Sequence, residues 1–378
     1  MNDQPDRRSF LIGSAASLGA SAPGAAQGRD IRTAFIGVGN RGKALLKQVL
    51  AQPNAPVAAI CDLDATARDA AQGMASRDNP KSFTEWRKVI DLKDVDAVMI
   101  ATPCDLHAEI AAAALSAGKY VYCEKPLGIH PEEVDRVLKA ARHSKTFLQI
   151  GQQMRYWPWL AGTIPHIHQG IIGKTLIIKA QRHSTARLLG QKETLPAWYF
   201  DVKRSGDRIV ENGVHNLDVC NWIANSRPVS AYGFGKVYLP EPKPAGTEYM
   251  DGYSVMYQYE NEINLTYSEA LLHPRGLKEL ANGQWYVVFG EKGAVTIKPG
   301  FGLFYEMYAQ GEPQQLLTQA QLAARENAME DFYACIREKR TPFADIRVAA
   351  TAALTTIMGR EAIYRRRMVT WKELGVTV

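Results

Sequence analysis

Ile31-Arg32-Thr33-Ala34-Phe35-Ile36-Gly37-Val38-Gly39-Asn40-Arg41-Gly42 reads as a buried strand running into a glycine turn, with a helix predicted over 42–51. Each glycine has its own reason. Gly37 permits the tight turn, Gly39 lets a ligand approach the backbone, and Gly42 lets helix and strand pack closely. Such a turn presents free N–H groups and the positive end of a helix dipole, a seat for a pyrophosphate. The acid expected for ribose hydroxyls is Asp62, twenty residues after Gly42 and at the end of the next predicted strand, 57–62. A carboxylate there repels a 2′-phosphate and favours NAD, with NADP kept open because Arg41 is expected near the adenine side.

Outward from that turn, short β-rich runs alternate with helical segments. Strands are expected over 31–39, 57–62, 96–103 and 120–124, and a last one begins at 147–150; helices are expected over 42–51, 65–74, 106–117 and 131–143. Continuous apolar strands between helices indicate a parallel sheet covered on both faces, the doubly wound α/β architecture. Ligands of such sheets lie at the carboxyl ends of the strands. This makes Cys123-Glu124-Lys125-Pro126 conspicuous, since a lysine at a buried strand end is costly unless paired or working. A lysine beside a nicotinamide can steady or protonate the oxygen of an alcohol under oxidation.

The glycine turn, Ala101-Thr102-Pro103 with His107 after it, and Ala117-Gly118-Lys119-Tyr120-Val121-Tyr122-Cys123-Glu124-Lys125-Pro126 together resemble the Gfo/Idh/MocA oxidoreductase family, which includes glucose–fructose oxidoreductase and inositol dehydrogenase. The resemblance runs from Ile31 nearly to the end. It implies an N-terminal Rossmann dinucleotide-binding domain, a C-terminal α/β domain with a large, mostly antiparallel sheet, sugar or polyol substrates, and dimers or tetramers packed through that sheet. With it, the expected cofactor contacts are Gly37, Gly39, Asn40, Arg41, Gly42, Asp62, Thr102, Pro103, His107, Glu124, Lys125 and Gln152. The expected division of the chain is 1–28, 29–150 for the nucleotide domain and 151–378 for the second, its last helices packing back on the first.

In the second domain, strands are expected over 176–180, 229–239, 253–259, 263–270, 284–289 and 302–308, with a loop over 240–247. Read as one helix, Arg208–Trp222 places Glu211, His215, Asp218 and Trp222 along one face. The family carries Asp-x-x-x-His on the equivalent helix, with the histidine as acid/base beside the lysine. His215 matches it, and Glu211 replaces the aspartate. The expected catalytic group is therefore Lys125 and His215, with Glu211 or Asp218 orienting the imidazole. Arg155 and Tyr156, followed by Trp157, and the aromatic run containing Trp198 and Tyr199 are candidate sugar contacts; Arg182-His183 is a weaker one.

Composition sets bounds. A chain of 378 residues with 46% hydrophobic and 22% charged residues is an ordinary globular composition, long enough for two domains. A net charge of +6 without a basic, aromatic-interleaved stripe gives nucleic-acid binding no support. The cysteines Cys61, Cys104, Cys123, Cys220 and Cys335 are scattered and odd in number, which points neither to a disulfide framework nor to a metal site.

Residues 1–28 read as an export signal, with Asp6-Arg7-Arg8-Ser9-Phe10-Leu11-Ile12 before a small-residue stretch and cleavage expected after Ala26. The paired arginines ahead of Phe10-Leu11 resemble a twin-arginine signal, although Asp6 and Ile12 depart from the common residues. Gly13, Gly19 and Pro23 interrupt the apolar stretch, which argues against a stable membrane span. Twin-arginine export delivers folded proteins to the periplasm, where no free NAD pool exists, so the cofactor is expected to be tightly bound. Three functions follow: a sugar oxidoreductase retaining its cofactor, a glycosidase working by transient oxidation, elimination and re-reduction, or a non-catalytic NAD- or sugar-binding module. The missing proline-rich arm weighs against the sugar-to-sugar transfer of glucose–fructose oxidoreductase, and the residues after Val214-His215 weigh against the glycosidase.

Overall fold

The computed structural model describes residues 29–184, 195–239, 246–274, 283–323 and 328–378. The expected signal, and most of the 240–247 loop, lie outside the described residues.

The first domain is built as β1 (Thr33–Ile36), α1 (Asn40–Leu50), β2 (Val57–Cys61), α2 (Ala65–Met74), β3 (Lys81–Phe83), α3 (Trp86–Ile90), β4 (Ala97–Ile100), α4 (His107–Ser116), β5 (Tyr120–Cys123), α5 (Pro131–His143) and β6 (Leu148–Ile150). The strands form a parallel sheet in the order β3-β2-β1-β4-β5-β6. Every residue of β1, β2 and β4 is buried, as a sheet with helices on both faces requires. Strand order reverses between β1 and β4, which opens a crevice at their carboxyl ends. The expected α/β class is what the structure has. β3 and α3 are the two elements sequence periodicity did not signal; β3 is three residues long and mostly exposed, so no apolar run marks it.

The second domain adds α6 (Pro158–His168) and a nine-stranded sheet: β7 (Thr175–His183), β8 (Pro228–Lys236), β9 (Gly252–Tyr259), β10 (Asn264–Ala270), β11 (Gln284–Gly290), β12 (Gly293–Lys298), β13 (Phe301–Glu306), β14 (Gln314–Gln315) and β15 (Val369–Thr370). β7 pairs with β10 in parallel, and the other pairings are antiparallel. Alternation is clear in β9, where Tyr253, Val255, Tyr257 and Tyr259 face inward and Ser254, Met256 and Gln258 outward. β12, unread in the sequence, follows β11 through the short Glu291-Lys292 link.

The chain then returns to the first domain. Phe332 and Tyr333 of the Ala328–Glu338 helix enter the core around Phe35 and Tyr122, and the Tyr333 hydroxyl lies 2.8 Å from Thr33 Oγ1. The buried Ile346–Arg365 helix touches α5 and β6 on one side and β8 on the other. Its Gly359 sits so close to the Tyr257 hydroxyl that a Cβ would come within 2.1 Å of it. Because these helices wedge between the sheets, the cleft between the domains has a defined geometry.

Arg208–Trp222 is not one regular helix. It divides into Arg208–Glu211 and Val214–Ala224, with the Gly213 N–H donating to Arg208 O at 3.0 Å, five residues back. Gly213 occupies the break because a Cβ would meet the Tyr253 hydroxyl at 2.4 Å and Ile209 O at 2.7 Å. The wide turn inserts a residue out of the helical phase, so Glu211 and Asp218 do not share the single stripe expected of them.

Candidate active site

The glycine turn is packed as its spacing demanded. Gly37 has φ +86°, and a Cβ there would lie 2.5 Å from Ala101 O at the end of β4; one on Gly42 would lie 2.1 Å from Gly37 O. Gly39 faces open space, with nothing within 4 Å of a Cβ. The amino end of α1 has no side-chain cap and no acid in its first turn, so Asn40 and its neighbours leave donors free for an anion. Asp62 closes β2 with Oδ2 accepting from Val38 N at 2.7 Å and Oδ1 from Asp64 N at 3.0 Å.

Arg41 departs from its expected place. Its Nε donates to Glu124 Oε1 at 2.6 Å, toward the end of β5 and not toward Asp62. The reason is Glu124 itself: a carboxylate 5% exposed needs a cation, and it packs against Gly151, where a Cβ would meet its Oε2 at 2.7 Å. His107 ties the neighbouring strand ends together, Nδ1 lying 2.7 Å from Pro126 O and Nε2 2.9 Å from Thr102 O. Pro103 caps the short turn leading to His107, and Thr102 Oγ1 donates to Pro103 O. Gln152, beyond β6, is buried with its Oε1 lacking any partner.

Across the cleft, Lys125 Nζ reaches both the carboxylate Oε1 and the backbone O of Glu211, each at 2.6 Å. Burial alone would push the Glu211 carboxyl up, but the ammonium outweighs it and the net direction is down. Burial likewise pulls Lys125 down, Glu211 reverses it, and the net direction is up. The lysine is thereby held as an ammonium. His215, one turn further along, is driven well below the ordinary imidazole value by burial, reinforced by the charges of Lys125, Arg182 and Arg41. It is a neutral base with an unpartnered Nδ1.

Neither acid orients that imidazole. Glu211 is engaged by Lys125, and Asp218 receives two bonds from Arg155, Nε and Nη2 each at 2.8 Å. The Arg155 guanidinium also lies over Trp222, 5.3 Å from its centroid, and 5.6 Å from that of Phe343. Arg155 is thus a buried clamp instead of the expected sugar contact. Tyr156 is likewise turned away, its hydroxyl donating to Asp331 at 2.7 Å. Trp198 packs partly buried against the core, whereas Tyr199 and His183 do border a cavity of about 270 Å³ with Ser184, Arg208, Asn212 and Gln284.

Arg208, Asn212 and Gln284 were not singled out from sequence. Arg208 pairs with the fully buried Glu269 at 2.6 Å, and Gln284 stands opposite Arg182 across β11 and β7. Only strand pairing brings them together. All five cysteines are buried and unpaired, and burial pushes the Cys61 thiol up to about 11.

A buried neutral histidine also predicts a pH effect on stability. Because the folded-state value of His215 is depressed, the unfolded chain takes up its proton first as pH falls below about 6.5. The contribution is present above that pH and lost below it. Thermal unfolding midpoints should therefore fall between pH 7 and 5, and by less in His215→Asn. Equal losses in the two proteins would show that His215 is not buried neutral. His107 and His183, also lowered by burial, supply the residual slope.

Both domains have counterparts among known proteins. Residues 31–152 match the family model described as the oxidoreductase family, NAD-binding Rossmann fold, and residues 166–296 match the GFO/IDH/MocA C-terminal domain. An inositol 2-dehydrogenase of Salmonella paratyphi B is 29% identical over 237 residues, 62% of this chain and 66% of that one. A glycosyl hydrolase family 109 protein of Stenotrophomonas maltophilia is 32% identical over 187 residues, 46% of this chain and 41% of that one. Among solved structures, an oxidoreductase domain protein from Kribbella flavida superposes with a TM-score of 0.78 at 21% identity, covering 90% of this chain and 99% of its own. With both of its domains matched in order, the chain belongs to the Gfo/Idh/MocA oxidoreductase family.

Proposed function

We propose that this protein is an NAD-dependent oxidoreductase that transfers hydride at a carbon-bound hydroxyl of a sugar, polyol or glycoside, with its cofactor retained between turnovers. The observation that carries the reading is the buried Lys125–Glu211 pair closing the cleft beside a neutral His215, at the strand ends where such folds bind ligands.

The chain fits the cofactor on its own geometry. The cradle of Gly37 and Gly42, the open face at Gly39 and the uncapped helix end suit a pyrophosphate, and the orphaned Gln152 oxygen suits an amide donor. Gly39, Asn40 and Gly42 would hold the phosphates, Asp62 the adenosine ribose hydroxyls, and Thr102, Pro103, His107 and Glu124 the walls beyond. Asp62 favours NAD over NADP, and Arg41 donates its Nε to Glu124. Bound NAD supplies the hydride acceptor.

The protein's own groups divide the remaining work. His215, neutral, takes the hydroxyl proton. Lys125, kept protonated by Glu211, steadies the developing alkoxide with a charge-assisted hydrogen bond. Glu211 positions the lysine, and Asp218 acts through Arg155 on the architecture of the cleft.

A second reading, hydrolysis of a glycosidic bond through transient oxidation, has one observation in its favour: the similarity to the Stenotrophomonas glycosyl hydrolase family 109 protein. That match covers less than half of this chain, whereas the inositol 2-dehydrogenase of Rhizobium meliloti aligns over 70% of it and 75% of its own length. Oxidoreduction is the better-supported reading.

Three properties extend the proposal. The signal-like start supports export to the periplasm through the twin-arginine machinery, and export supports retention of NAD. The outer face of the second sheet exposes Leu176, Ile177, Phe234, Met256 and Phe289, an apolar surface suited to a homo-oligomer. One preparation tests all three. The protein purified from the periplasm should begin near residue 27, exceed the monomer mass by light scattering, and release NAD(H) on denaturation. It should then turn over free sugars or glycosides without added cofactor. Absence of any nicotinamide, retained or rebound, would end the oxidoreductase reading; a monomer or an unprocessed cytoplasmic chain would end only its own part.

A further inference from the structure

Among the described residues, the cations around the cleft are matched with acids, apart from one. Lys125 pairs with Glu211, Arg41 with Glu124, Arg155 with Asp218 and Arg208 with Glu269. Arg182, on β7, has no ion pair among the described residues; its guanidinium makes one long contact, 3.5 Å, to Asn216 Oδ1. A half-buried guanidinium without a counter-ion is a cost that no described acid offsets.

Arg182 lines the 270 Å³ cavity with His183, Ser184, Arg208, Asn212 and Gln284. Two of these have buried donor atoms without a partner, Ser184 Oγ and Arg208 Nε. Asn212, the residue after Glu211, also lines the cavity and has an unpartnered acceptor, Oδ1. The lining is therefore rich in donors, and it adjoins the reacting groups: Tyr199, which lines it, hydrogen-bonds Glu211, and the Arg182 charge acts on His215. The cofactor's phosphates do not supply the missing anion, because the amino end of α1 already offers them a seat.

We propose that this cavity binds the carboxylate of a sugar acid, so that the hydroxyl facing Lys125 and His215 belongs to an anionic carbohydrate of the uronic or aldonic type. The planar fork of Arg182 matches a carboxylate in two parallel bonds. The small volume suits a single ring. This assignment rests on the oxidoreductase reading for the identity of the site.

The test is calorimetric titration of the NAD-loaded full chain with D-glucuronate, D-glucose and D-glucose 6-phosphate. D-glucuronate should bind roughly ten- to a hundredfold more tightly than D-glucose, the worth of a charge-assisted pair. Arg182→Gln should abolish that preference, and Arg182→Lys, which keeps the charge and loses the fork, should retain part of it. Retained NAD in each variant reports that it is folded. Equal affinity for glucuronate and glucose, or a preference that survives Arg182→Gln, overturns the assignment; tighter binding of the phosphate overturns the carboxylate. A chain that binds no NAD but still prefers glucuronate would sink the oxidoreductase reading and leave this one standing.

Discussion

Lys125→Met should lower kcat by roughly 10²–10⁴-fold, the usual scale for removing a positioned proton-handling group. The argument is that Lys125 makes its strongest contribution after the hydroxyl proton has left, when negative charge gathers on oxygen. Such a contribution appears in kcat, and in kcat/KM to the same extent, with little change in KM. The same substitution strands the Glu211 carboxylate, 7% exposed and left without its cation. Lys125→Met combined with Glu211→Gln removes both charges and separates lost chemistry from lost stability. Steady-state kinetics on protein shown to retain NAD decides the matter. Full activity in the double variant would remove Lys125 from the chemistry while leaving the fold untouched.

The second large effect is on stability. Arg155→Leu should destabilise the protein by about 3–5 kcal/mol, because it leaves Asp218 as a buried charge with no partner. Asp218 is 1% exposed and takes both of its bonds from Arg155, so nothing else in the described structure compensates it. Asp218→Asn alone should cost similarly, since it leaves the guanidinium, while Arg155→Leu with Asp218→Asn should recover much of the loss. Denaturant midpoints for the three variants measure this. If Arg155 were a sugar contact, its loss would instead raise KM with the midpoint unchanged.

These two pairs show what kind of information each level of description holds. The crevice was legible because its causes are local. Strand, turn and helix follow each other within a dozen residues, and Gly37 and Gly42 are glycines for reasons of backbone space that spacing alone announces. The order β3-β2-β1-β4-β5-β6 follows from short connections and the handedness of parallel crossovers. Lys125 was conspicuous for the same reason: a charge at the end of a buried strand is anomalous wherever the rest of the chain goes.

Helical phase misled where tertiary packing overrode it. Glu211, His215 and Asp218 lie on one face of an ideal helix, but the close approach of Tyr253 to Gly213 imposes a wide turn between the first of them and the others. Arg155 and Tyr156 looked like sugar contacts because arginine and tyrosine at a strand end are chemically suited to it; the partners that claim them, Asp218 and Asp331, are far away in sequence.

By itself, then, the sequence determined the doubly wound first domain, the glycine cradle and the lysine at its edge, since these depend on interactions between near neighbours along the chain. The tertiary structure alone decided which carboxylate each cation meets. Lys125 and Glu211 are separated by 86 residues, Arg41 and Glu124 by 83, and Arg155 and Asp218 by 63. Any of these cations could have paired with any of the acids on charge alone. The choice was made by burial, which forces each charge to find the partner that folding brings within reach, and among the described acids of the cleft none claims Arg182.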